Sequence, residues 1–370
     1  MQPGLVIRRH RSLLPRLIAI SLLFTMLSGC DWFRREVRVY LDEPYPKKLS
    51  AWHLFRDARH GLKPNDRVLP YDLNTPLFSD YASKYRFVWM PAGTSSQYRD
   101  EGVFEFPVGT VLAKSFAFPV DGHPGAEHLV ETRLLVHAKA GWVALPYIWN
   151  EDQTDATLRL VPDPVPIHYH DQAGTVHDFT YQIPNANECR QCHENNKQLL
   201  PIGPKARNLN KDFDYADGKA NQLLRWQASG YLAGAPAPSG APHAARWNDA
   251  STGTLAQRAT AYLDNNCAHC HQPGGSAAYT GVDFRAGHFD PLHAGFCKHP
   301  NSAGNMHDLQ FDVVPGDPDQ SILIYRLTST APKVMMPQIG RAVVHEEGLA
   351  LLREWIAALP AETCAPGAKR

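Results

Sequence analysis

Two short stretches carry the most chemistry in this sequence, Cys189-Arg190-Gln191-Cys192-His193 and Cys267-Ala268-His269-Cys270-His271. In each, two cysteines three positions apart lie on one side of a helical turn, and a histidine follows directly. That donor set suits two thioether bonds to haem vinyl groups, with the histidine as proximal iron ligand. At this chain's content of 7 cysteines and 18 histidines, one chance copy is expected in roughly a hundred such sequences, so two copies set chance aside. A Cys-x-x-Cys pair can also be a redox dithiol or half a zinc site. Neither explains a histidine after both pairs. The spacing predicts two covalently attached haem c groups on Cys189, Cys192, Cys267 and Cys270, with His193 and His271 as axial ligands.

The elements that must present these motifs are broken often. There are 30 prolines among 370 residues, above the usual ~5%, which argues against long coiled coils and helical arrays. Lysine plus arginine and aspartate plus glutamate both number 37, for a formal net charge of zero. That balance argues against nucleic acid as a partner. A hydrophobic content of 44% suits packed cores. No Ser-His-Asp set, phosphate loop or paired carboxylates of recognisable spacing point to another chemistry.

The N-terminus reads as an address. Arg8, Arg9, Arg11 and Arg16 precede an apolar run over 17–27, then Ser28-Gly29-Cys30. This is the pattern of a secretory signal peptide, and the run is short for a membrane span of roughly 20 residues. Leu27-Ser28-Gly29-Cys30 resembles a bacterial lipobox, which implies cleavage before Cys30 and its lipidation. Asp31 resembles a signal for retention in the inner membrane. The expectation is an exported protein, lipid-anchored on the periplasmic side of the cell envelope. Cys297 and Cys364, an even pair bound for an oxidising compartment, invite a disulfide.

The reading of the fold is multidomain α+β. Residues 1–29 are the lipoprotein signal peptide and 30–69 a tether and lead-in. Residues 70–185 hold short aromatic and β-branched stretches, at 85–89, 103–106, 110–118, 129–136 and 142–145, separated by Gly, Pro and Asp clusters. They predict an antiparallel β-rich domain, a sandwich or barrel. Residues 186–250 form the first haem segment, with a helix near 221–227 and a linker or long loop over 234–242. Residues 251–366 form the last unit. Its helix over 255–263 runs into Cys267, and the amphipathic stretch 346–356 has acidic residues in its first turn.

That last unit resembles a class I cytochrome c domain, all-α, through its two terminal helices and the Val334-Met335-Met336-Pro337 stretch between them. The resemblance implies Met336 as the second haem's distal ligand, a soft sulfur that raises the potential of the iron. No methionine lies between His193 and His271. The sixth ligand of the first haem is left to His168, His170, His177, His243 or nothing. His269 reads as a filler of the motif's variable positions.

Residues 70–360 resemble a family of bacterial dihaem c-type cytochromes in which a β-rich domain precedes the two motifs. The resemblance rests on Thr75-Pro76-Leu77-Phe78-Ser79-Asp80-Tyr81-Ala82, Phe106-Pro107-Val108-Gly109-Thr110, Glu131-Thr132-Arg133-Leu134, Tyr147-Ile148-Trp149-Asn150 and Ile202-Gly203-Pro204-Lys205. The resemblance fixes the architecture better than the role, and adds an envelope β-helix protein as a partner. Two covalent haems on an anchored body suit an electron relay between donor and acceptor proteins in the cell envelope. Two other roles stand beside it: a peroxidase- or oxidase-like enzyme with an open first haem, and a redox-sensing binding module.

Overall fold

The β-branched and aromatic stretches form one six-stranded antiparallel meander in which each strand pairs with the next. Its strands are β1 (Leu69–Tyr71), β2 (Ser83–Trp89), β3 (Val111–Pro119), β4 (Glu127–Ala138), β5 (Gly141–Trp149) and β6 (Ala156–Leu158). This computed structural model describes residues 1, 35–57, 62–161, 163–302, 306, 308–361 and 363–364. The signal-peptide reading, Cys30 and Asp31 fall outside the described residues. Among the described residues, no helix is long and apolar enough to cross a membrane.

The sheet is open, with β1 and β6 as its edges, so the barrel expectation is corrected. The central strands β3 and β4 are buried along most of their length because both faces are covered. Phe87, Ala113, Leu134 and Leu145 point to one face and pack against Leu49, Trp52 and Leu54 of the lead-in. From residue 35 the lead-in is therefore part of the fold rather than a loose tether. Val88 and Leu112 point to the other face and pack with Leu209, Leu223, Trp226 and Tyr231. A hairpin of β7 (Asp163–His170) and β8 (Val176–Ile183) covers the rest through Ile167, Tyr169, Tyr181 and Ile183.

The first haem segment holds helices α1 (Ala186–His193), α2 (Ala206–Leu209) and α3 (Gln222–Ala228). It is not a separate domain, because its apolar side chains share one core with β2 and β3. The proline-rich stretch 234–242 is pinned: Asn210 Nδ2 donates to Pro238 O at 2.8 Å and to Ala241 O at 3.1 Å.

The last unit is built on α4 (Leu255–Asn266), α5 (Ile322–Thr328) and α6 (Glu346–Ala357). Helix α4 starts where Thr254 and Gln257 cap each other's backbone reciprocally. Helix α6 buries Leu351, Leu352, Trp355 and Ile356 against Tyr262 and Leu263 of α4. Cys297 and Cys364 are disulfide-bonded, with Cα atoms 5.1 Å apart.

Candidate functional site

Helix α1 begins with a capping box. The Asn185 side chain accepts from Asn187 N and Glu188 N, and the Glu188 carboxylate accepts from Asn185 N. The single turn that follows carries Cys189 and Cys192 on one side and ends at His193. His193 Nδ1 lies 2.8 Å from Leu200 O. A carbonyl can only accept, so Nδ1 carries the proton and Nε2 keeps its lone pair for a metal. Burial holds the imidazole pKa down at about 4, so the ring is neutral near pH 7. Cys189, Cys192 and His193 all line one cavity of about 170 Å³ between α1 and the sheet. An open cleft of about 1060 Å³ adjoins it, sharing Cys192, His193, Pro201, Ile202 and His269.

The second motif follows α4 directly, with Cys267 N bonded to Leu263 O and His271 N to Cys267 O, each at 2.9 Å. Thr280 Oγ1 donates to Ala277 O at 2.7 Å and so accepts from His271 Nδ1 at 3.2 Å. His271 Nε2 is thereby left as the ligand atom, and burial holds this pKa too at about 4. Cys267, Cys270, His271 and Met336 line a cavity of about 590 Å³, and Met335 and Met306 do not. The loop bearing Met336 is fixed by Arg341, whose guanidinium donates to the carbonyls of Met336, Val343, Arg326 and Ser329. Asp80, from the β1–β2 connection, accepts from Ala342 N at 2.7 Å and Val343 N at 3.0 Å.

The two motifs are interlocked. Ligand atoms of Cys192, His269 and Cys270 lie within 4.8 Å of one another. Gln191 O accepts from Ser276 Oγ at 2.7 Å, and Asn196 N donates to Gly274 O at 2.9 Å. Gly274 has φ +77°, and a Cβ there would come 2.6 Å from Asn196 Oδ1. Glycine is what allows the two loops to touch. His269, between the second pair of cysteines, is 7% exposed, its Nδ1 has no partner among the described residues, and it lines both cavities and the cleft. No sequence pattern distinguishes it from other residues between motif cysteines.

The histidines expected to cap the first haem stand elsewhere. His168 is 3.6 Å from Asp178, His170 is 2.9 Å from Asp121, and His177 pairs with Asp171 at 3.2 Å while stacking on Tyr169. None of these three, nor His243, lines either cavity. Among the described residues lining the first cavity, the side chains beyond His193 whose nitrogen can ligate iron are Lys114 and His269.

The donor sets fit two haems better than one zinc ion. Cys189 and Cys267 lie outside the close trio and face separate cavities, so the four thiols do not make a tetrahedral site. Comparison with family models, curated proteins and solved structures finds no match to this chain.

Proposed function

We propose that this chain is a lipid-anchored dihaem c-type cytochrome that relays electrons in the bacterial cell envelope. One observation carries the reading: each Cys-x-x-Cys-His set faces a cavity with its histidine Nε2 free, and the sets meet at Cys192 and Cys270. Haem attached there supplies reversible one-electron carriage. The chain's own part is to hold both attachment points side by side, fix each histidine through Nδ1, and give the second cavity an apolar wall of Val282, Phe284, Ile322 and Leu327. Helices α4 and α6, packed beside the second motif, support reading residues 251–366 as an all-α cytochrome c domain. Met336, which lines the same cavity as His271, would hold the iron as its sixth ligand and would give that haem the higher potential.

Envelope donor and acceptor proteins, and a β-helix envelope protein among them, are the proposed partners. The anchor is Cys30. A second reading, an enzyme with an open first haem, is favoured by one observation: the first cavity contains no methionine and none of His168, His170, His177 and His243, and it adjoins the open cleft. Acidified-acetone extraction of the purified protein tests the main reading. Two haems per chain should stay with the polypeptide, and their release would end it. Carbon monoxide added to the ferrous protein separates the two roles, since a shift in half the haem signal marks an open iron and the enzyme.

A further inference from the structure

The face of the sheet that borders the first motif carries an unusual row. Arg86 of β2 is directly opposite Lys114 of β3, and Lys114 is directly opposite Arg133 of β4. Like charges in direct cross-strand register repel, and here Arg86 is buried and Lys114 and Arg133 are half-buried. Only Arg133 has a carboxylate of its own, Glu131, reached at 2.6 and 2.8 Å. Arg86, with a side chain 4% exposed, uses Nη1 on Asp72 at 2.7 Å, and Asp72 is shared with Lys211 at 3.0 Å. Arg86 Nη2 is buried without a partner among the described residues. Lys114 Nζ reaches no carboxylate or carbonyl among the described residues, and its close contact is the Phe116 ring at 4.6 Å.

All three cations line the cavity faced by Cys189, Cys192 and His193. Buried cations without counter-charge are strongly unfavourable unless an anion completes the site. We propose that Arg86, Lys114 and Arg133 form a carboxylate cradle, and that its occupant is the pair of propionates of the first haem. This rests on the dihaem reading, which brings a dianionic edge into this cavity. Two carboxylates on flexible arms supply acceptors to Arg86 Nη2 and Lys114 Nζ, the two donors that lack them. Desolvation, and then the charges of Arg86, Lys84 and Arg133, push the Lys114 pKa far below its usual value against the opposing charge of Glu131, and a further anion beside Lys114 would hold it charged. A free oxyanion entering from the adjoining cleft offers the same chemistry and is the competing source.

Lys114→Met in the full mature protein tests this, with Lys114→Arg as the conservative control. Removing a cation near the first haem favours its oxidised state. Lys114→Met should keep two covalent haems and an unchanged spin state. It should shift the first haem's one-electron equilibrium about tenfold toward oxidation, which is ~59 mV, and Lys114→Arg should restore most of it. Three results overturn the cradle: unchanged potential with two haems retained, a new high-spin signal that makes Lys114 an iron ligand instead, or a saturable shift of the wild-type spectrum by millimolar nitrite or phosphate that Lys114→Met abolishes. A wild-type protein without covalent haem overturns the dihaem reading itself, a separate failure.

Discussion

The same five-residue pattern is housed in two opposite ways. The second motif has a capped twelve-residue helix leading into it, a second helix across the core, and Met336 within its own unit. The first motif sits on a helix of eight residues, and the walls of its cavity come largely from elsewhere. They come from the sheet at Lys114 and Arg133 and from Pro337 and Ile339 of the last unit, while Pro201 and Ile202 belong to the motif's own segment. One site is made mostly by its own segment, with Gln191 and Cys192 of α1 at its edge, and the other is assembled from three parts of the chain. The lesson is that a shared motif fixes how a group is attached but not what surrounds it, and the surroundings set potential and reactivity.

The sharpest way to break this comparison is to remove the motifs one at a time. Cys189→Ser with Cys192→Ser, or Cys267→Ser with Cys270→Ser, should each leave one covalent haem per chain by mass spectrometry. Loss of both haems from either variant would mean that the two sites mature as one. Next comes the shared core. Trp226 is fully buried between the first segment and the sheet, so Trp226→Ala should cost about 3–5 kcal/mol. In denaturant unfolding followed by haem absorbance, it should disturb the first haem before the second. Leu352→Ala, buried against α4 in the last unit, should cost about 2–5 kcal/mol and reverse that order.

The disulfide sharpens the comparison further, since it belongs to the last unit alone. Cys297 and Cys364 close a loop of 67 residues, so Cys297→Ser with Cys364→Ser should cost about 2–4 kcal/mol. Equal effects on both haem signals would contradict separate housing. The smallest effect is a pH dependence where the two regions meet. The His345 ring stacks on Phe78 from the β1–β2 connection at 4.2 Å and takes a 2.9 Å hydrogen bond with Tyr262. Burial holds the His345 pKa at about 4, below its ordinary 6.5. The unfolded chain therefore binds the proton first, and stability that is complete above pH 6.5 falls as pH drops toward 4. His345→Gln should flatten that part of the Tm profile. An unchanged slope would assign it to other groups.

Much of this was legible beforehand. Helices α4 and α6 lie where the apolar stripes put them: Thr254 and Gln257 cap the start of α4, and Glu346 and Glu347 fill the first turn of α6. The motif cysteines, their histidines and Met336 lie together on cavities because spacing along a turn and a local loop are short-range facts. What was hidden depends on long-range register. Arg86, Lys114 and Arg133 are separated along the chain and become neighbours only through pairing of β2, β3 and β4. The histidines at 168–177 failed for the converse reason. They precede the first motif closely in sequence, but the β7–β8 hairpin carries them onto exposed aspartates away from it. The boundary drawn at residue 186 did not separate two cores, because α3 completes the sheet's own core through Leu223 and Trp226. A boundary cannot be read from composition when both sides are equally apolar.

Asp80 gives this arrangement a practical consequence. Its carboxylate holds the backbone of Ala342 and Val343, just beyond the Arg341 staple on Met336, although it comes from the β-rich half of the chain. The last unit is therefore not a portable part. Cut out and grafted behind another domain, residues 251–366 would keep their helices and their cysteine motif but lose the outside hand that steadies the methionine loop. A lineage shuffling this unit among proteins would have to carry the aspartate along or reinvent it.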